Sequence, residues 1–211
     1  MFSGSRVLTG GSAAVSTHLV LLTGQQTDYT PGGFTAGDDG YEQQGQARDY
    51  TAKTTGQYSG TTNITVNSKT EVKSNACVQD NQTGLMWARD VSATVGAADD
   101  GALPWDDGGV GTESAFVYVD QANSANFAGH NDWRLPSSHE IQTIVDFETS
   151  VPNSTYWSTW GTSQVVWTST TYDSSHGSAL ALTAVTTIGA YLSSSNKSLT
   201  ARNVLLVRGP I

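Results

Sequence analysis

Apolar and polar residues alternate in short stretches of this chain rather than throughout it. In Thr61-Thr62-Asn63-Ile64-Thr65-Val66-Asn67, Ile64 and Val66 fall on one face at period two, the spacing of a half-buried strand. Asn67-Ser68-Lys69 then reads as a hairpin turn, with residues 70–73 as the returning strand. Residues 49–53 form an earlier strand, set apart by turns at Thr55-Gly56 and Ser59-Gly60. Further on, Cys77-Val78-Gln79-Asp80 and Leu85-Met86-Trp87 read as two strands joined at an Asp-Asn turn. The period then changes. Over residues 113–127, Phe116, Val119, Ala122 and Ala125 or Asn126 recur at helical spacing, with Gly129 as the terminator. A second, short helix starts at Ser137, which stands at capping-box spacing from Glu140. Ile141, Ile144 and Val145 share its apolar face, and it ends near residues 146–148. Strand patterns return at 156–159, 165–169, 179–185, 189–193 and 203–208. Strand, two helices, then several short strands is the order of an α+β module.

Residues 1–40 follow neither period. They are punctuated by Thr9-Gly10-Gly11-Ser12, Pro31-Gly32-Gly33 and Gly37-Asp38-Asp39-Gly40, with one β-like run at 16–23. Such punctuation argues against an independent core and for segments that order against another chain or the downstream module. We therefore place a boundary near residues 74–77. Residues 1–76 become an extended, β-rich attachment or oligomerisation region, and residues 77–211 the principal domain.

Composition narrows the function. Charged residues make up 14% of the 211, against about 25% in an average soluble domain. Net charge is −9, most of it carried after residue 76. No basic footprint exists for a phosphate backbone, which excludes nucleic acid and disfavours sulfated polysaccharides and anionic membranes. No stretch has the length and apolarity of a membrane span. Met1-Phe2-Ser3-Gly4 has no charged, apolar secretory leader, so an extracellular role points to another route, such as phage lysis. Cys77 is the only cysteine. An intrachain disulfide and a thiolate metal cage are both ruled out, and a buried thiol is the expected state.

Asp80-Asn81-Gln82-Thr83-Gly84-Leu85-Met86-Trp87, then Gly129-His130-Asn131-Asp132-Trp133-Arg134-Leu135-Pro136 with Glu140, then Trp167-Thr168-Ser169-Thr170 and Val207-Arg208 carry a resemblance. In that order they are similar to the C-terminal domain family named for a Legionella collagen-like adhesin. Ile141 stands where leucine is usual, and the closing strand lacks the family's frequent cysteine. The resemblance implies a C-type-lectin-like fold of the formylglycine-generating-enzyme type, with a ligand-facing surface in the C-terminal half. Residues 42–76 resemble, more weakly, the strand-rich lead-in that precedes this domain in phage-associated proteins.

Within the signature, Asp132 and Arg134 are expected to pair and fix the loop, with Trp133 in the core. The functional alternative has Arg134 grip a ligand carboxylate. Trp87 and Trp167 are expected in the core. Oxidases of the formylglycine-generating type hold copper with two cysteines, a site that Cys77 alone cannot build. His18, His130, His139 and His176 show no zinc or triad spacing, and catalysis is not expected. Asp99, Asp100, Asp106 and Asp107 could offer oxygen ligands to Ca²⁺, without the alternation or closing Glu of an EF-hand. Trp160, Tyr172, Asp173, His176 and Tyr191 lie in Ser/Thr/Gly-rich stretches, where aromatic and small polar side chains make adaptable contacts; they are the candidate ligand residues.

These readings converge on a non-catalytic virion surface protein of tail or capsid. Residues 1–76 meet other virion proteins, a homotrimer is favoured by analogy, and the C-terminal module engages a cell-surface glycan or protein. The rivals are a secreted bacterial adhesin and a decoration protein without an external ligand.

Overall fold

The computed structural model describes residues 47–93, 95, 101–106, 112–146, 151–152, 155–157, 160, 163–185, 189–198 and 200–209. Residues 1–46, among them the turn-rich stretch 1–40 with its run at 16–23, lie outside them. The described chain is α+β, strand-rich around two helices.

Strand β1 (Tyr50–Lys53) leads through a 3-10 turn to the hairpin of β2 (Thr61–Val66) and β3 (Lys69–Ser74). Asn67 and Ser68 both take positive φ, 47° and 64°; this two-residue geometry matches the right-handed twist of the strands. Ile64 and Val66 are buried, as their period predicts. Strands β4 (Cys77–Asp80) and β5 (Met86–Ala88) follow. β1 pairs antiparallel with β4, and the four-stranded sheet runs β1-β4-β5-β13, where β13 is Val207–Arg208. β1 and β4 thus share a sheet with the later strands, and the separate β2–β3 hairpin shares their core through Ile64 and Val66. The boundary expected near 74–77 falls between two strands of that single packed body.

After β6 (Leu103–Pro104), helix α1 spans Ala115–Ser124, capped by the Ser114 side chain, which accepts from the Val117 N–H. Its buried face is Ala115, Tyr118, Val119 and Ala122, whereas Phe116 is 40% exposed. The expected face is therefore rotated. Tyr118 can turn inward because its hydroxyl donates to Glu71 Oε2 at 3.0 Å, and a satisfied phenol buries a large apolar ring. Left-handed Asn126 (φ 54°), not Gly129, follows the helix end, and a 3-10 turn occupies Phe127–Gly129.

Helix α2 (Ser138–Gln142) carries the full capping box between Ser137 and Glu140. It is shorter than expected: Ile144 and Val145 are buried beyond it, and Val145 opens β7 (Val145–Asp146), which pairs with β8 (Val151–Pro152). Residues 155–157 form a turn and an unpaired Trp157, not a strand. A second antiparallel sheet, in the order β11-β10-β9, comprises β9 (Ser163–Thr171), β10 (Ser178–Val185) and β11 (Gly189–Asn196). β12 (Ala201–Arg202) pairs with β6. Within the strand expected at 203–208, Val204, Leu205 and Leu206 are buried but not in a strand. Side-chain and loop contacts hold that stretch: Ser92 N–H donates to Val204 O, Ser92 Oγ accepts from Val204 N–H, and Ala88 N–H donates to Leu206 O.

Trp87, Trp133, Trp157 and Trp167 are the largest side chains of the core, each at most 2% exposed. Trp167 Nε1 donates to Leu103 O at 2.7 Å and Trp133 Nε1 to Phe127 O at 2.9 Å. Two charges lie among them. Lys73 is buried against the Tyr118 and Phe127 rings, and its Nζ donates to Asp90 O (2.7 Å), Val91 O (3.0 Å) and Glu71 Oε1 (3.5 Å). Glu71 also accepts from Ala93 N–H at 3.2 Å. The cluster ties the hairpin, α1 and the 90–93 loop together through charge-assisted bonds.

Two outcomes follow. Lys73→Ala leaves Glu71 buried without its cation and lowers stability by about 3–5 kcal/mol in urea denaturation. Cys77 is fully buried and free, and burial pushes its thiol up to about 12. A thiol reagent at neutral pH therefore labels no cysteine in the folded chain and one after denaturation.

Candidate functional site

Asp132, Trp133 and Arg134 leave the helix region in extended form, which sends Trp133 into the core and the two charges outward. Asn123 holds this strip at two points, with Nδ2 donating to Trp133 O (2.9 Å) and Oδ1 accepting from Trp133 N–H (2.7 Å). The charges do not pair with each other as expected. Arg134 makes a fork with Glu140, NH2 to Oε1 at 2.6 Å and NH1 to Oε2 at 2.8 Å. Asp132 is taken by Arg208, with Nε to Oδ1 at 2.6 Å. The closing strand decides this: Arg134 and Val207 exchange backbone bonds at 2.9 and 3.0 Å, which places Arg208 beside Asp132 and leaves Arg134 facing α2.

Burial pushes the Glu140 carboxyl up. The Arg134 guanidinium and the Ser137 N–H (2.8 Å) outweigh it, so Glu140 titrates below its ordinary value. The Arg208 bond likewise lowers Asp132.

In front of the Arg134–Glu140 fork lies a groove of about 400 Å³. Phe116 and Val119 of α1 form one wall, Leu135 the floor, and Arg134, Ser137, Glu140 and Ser169 the polar edge. The size and the mix of apolar wall with few polar groups suit a small-molecule or side-chain site. Its aromatic wall is braced from behind. Phe116 meets Trp105 edge to face, with centroids 4.6 Å apart at 87°. Trp105 Nε1 donates to Thr168 O at 2.7 Å, and Lys197 Nζ sits 4.1 Å above the Trp105 ring while donating to Thr171 Oγ1. The polar edge is stitched to β9, where Ser169 N–H donates to Pro136 O (2.8 Å) and Thr170 Oγ1 accepts from Ser138 N–H (3.0 Å). Preorganised walls of this kind lose little entropy on binding.

Sequence reading marked Arg134 and Glu140 but not the groove. Helical spacing puts Phe116 on the buried face, Ser169 stands out only as part of the Trp167–Thr170 motif, and Trp105 carries no local signal. Of the candidate ligand residues, Tyr172, Asp173 and His176 cluster at the exposed β9–β10 hairpin tip. Tyr191 is 46% exposed and pairs with Thr183, about 17 Å along the sheet from that tip. Trp160 is half-buried against the core. The five do not form one site. Of the candidate calcium ligands, Asp106 is exposed, and Asp99, Asp100 and Asp107 lie outside the described residues. Among the described residues no group of three or more His, Cys, Asp and Glu is placed to hold a metal ion, and no helix is long and apolar enough to cross a membrane.

Glu140→Gln weakens both the fork and the helix cap, and lowers stability at neutral pH by about 1–2 kcal/mol. Because the folded carboxyl titrates low, its contribution is complete above the unfolded Glu value and fades as pH falls through the depressed one. Urea midpoints of wild type and Glu140→Gln should therefore differ at pH 7 and draw together as pH falls below the ordinary Glu range.

No curated protein and no solved structure matches the chain. A family model, the Lcl C-terminal domain, matches residues 76–208. That span holds every wall of the groove, the fork and the closing strand, and it covers more than half of the sequence. This chain belongs to the Lcl C-terminal domain family, an adhesin-type family of binding modules.

Proposed function

We propose that this chain is a non-catalytic virion surface protein whose Lcl-type module binds a host-surface receptor, a cell-surface glycan or a protein, in the groove before Arg134 and Glu140. The braced groove is the observation that carries the reading. It joins an exposed aromatic side chain to a fixed polar fork on a scaffold of helices and strands, the arrangement a binding site needs to stay in register. Two described residues with nucleophilic or acid–base side chains, Cys77 and His130, have other occupations. Cys77 is sealed in the core. His130 Nε2 lies 3.1 Å from both the Tyr58 hydroxyl and Gln57 Nε2, away from the groove.

The fold reading within this proposal is C-type-lectin-like. Its support is a chain whose first and last described strands share one sheet while both helices lie between them in sequence. The hairpin tip with Tyr172, Asp173 and His176 offers a second contact for a large receptor. Virion placement rests on the turn-rich residues 1–40, whose composition suits ordering against partner chains; a homotrimer is the assembled state proposed by analogy. A secreted adhesin is the alternative and would use the same groove.

Ser169 stands exposed on the groove rim. Ser169→Trp fills the groove, and is expected to abolish binding of the purified chain to host cells while leaving the thermal midpoint within about 2 °C of wild type. Retained binding would move the receptor face elsewhere. Gold-labelled antibody against the chain should decorate phage particles; decoration of the bacterial surface alone would select the adhesin.

A further inference from the structure

We infer that the groove takes an uncharged hexopyranose unit of a glycan, stacked on Phe116 and hydrogen-bonded at the Arg134–Glu140 edge. The inference rests on the groove being the receptor face, and it names the ligand class.

Charge comes first. Among the described residues the only cation lining the groove is Arg134, and both of its terminal nitrogens are engaged by the Glu140 carboxylate. The pair is neutral as a unit, inside a chain of net charge −9. A sulfate, sialate or phosphate group would meet a carboxylate at the fork with no spare positive charge to offset it. Lys197, behind the wall, is held over Trp105 and bonded to Thr171. An anionic ligand is therefore disfavoured, and a cationic one would have to displace Arg134 from its carboxylate.

Shape and surface come second. The exposed lining is mainly apolar, from Phe116, Val119 and Leu135, and of its polar residues Arg134, Glu140 and Ser137 are bonded to one another, with Ser169 the fourth. A pyranose ring has this division itself. One face presents C–H groups, while the perimeter carries hydroxyls that both donate and accept. The Glu140 oxygens have lone pairs beyond those used by Arg134 and Ser137, and the serine hydroxyls can do either. An aliphatic peptide side chain would cover the apolar wall and leave the polar edge facing it without partners, which costs binding energy.

Rigidity comes third. Stacking on a ring is favourable in proportion to how little the ring must be ordered first. Phe116 is 40% exposed, yet its position is set by Trp105, itself fixed by the Thr168 carbonyl, the Lys197 ammonium and a 2.9 Å bond from its own N–H to Lys197 O.

The experiment pairs a glycan array of neutral, sialylated and sulfated structures with a host-cell binding assay, using the full chain and its Phe116→Ala and Phe116→Leu variants. Phe116→Leu keeps apolar packing on Trp105 without the ring, so folding loss and stacking loss separate. Neutral hexose or N-acetylhexosamine oligosaccharides should bind, insensitive to added salt, and weaken about tenfold or more in both variants, a contact worth about 1.4 kcal/mol. Hits confined to sulfated or sialylated glycans, or binding that falls steeply with salt, would overturn the inference. A blank array with host-cell binding lost in both variants would overturn the sugar class but leave the groove as the receptor face. Host-cell binding unchanged in both variants would overturn the groove itself.

Discussion

Val207 is paired on both sides, and the rest of the structure depends on that. Its backbone meets Trp87 across β5 and Arg134 across the signature strip. Buried backbone groups need partners, so the strip can be extended there only because the far end of the chain returns to satisfy it. With the strip in place, Trp133 enters the core, Arg208 reaches Asp132, and Arg134 is left to form its fork with Glu140. The fork also completes the cap of α2. One strand of two residues thereby sets a helix start, two ion pairs and the polar edge of the groove.

The buried Glu71–Lys73 pair acts on the other side of the molecule. Ionic groups in a core are costly unless every lone pair and proton has a partner. Here the partners come from the 90–93 loop and from Tyr118. That demand explains why the hairpin belongs to the same body as the family domain, although the family match begins at residue 76. The module needs residues outside the recognised span to complete its core: Tyr50, Ile64 and Val66 pack there, and Glu71 orients the helix that carries Phe116.

What could be read from sequence was what short-range geometry determines. The Ile64/Val66 alternation, the Asn67-Ser68 turn, the Ser137–Glu140 cap and the burial of Trp87, Trp133 and Trp167 all emerged as expected. What failed depended on distant partners. The α1 face was misjudged by one position because the acceptor for Tyr118 lies 47 residues away, and the Asp132 partner lies 76 residues away. The groove was invisible for the same reason, since its walls come from three separate elements and its brace from Trp105 and Lys197. The family was readable throughout, because its motifs are contiguous and spell the strip, the cap and the closing strand.

The exposure of Phe116 also bears on how such a module can change over generations. The residue projects from a helix whose opposite face is committed to the core, and it packs edge to face on Trp105. This side chain is thus less tied to folding than the fork beside it, which is joined to a helix cap and a closing strand. A lineage could retune what the groove accepts by drifting at position 116 while the polar edge stays frozen, separating evolvable selectivity from inherited architecture within a single pocket.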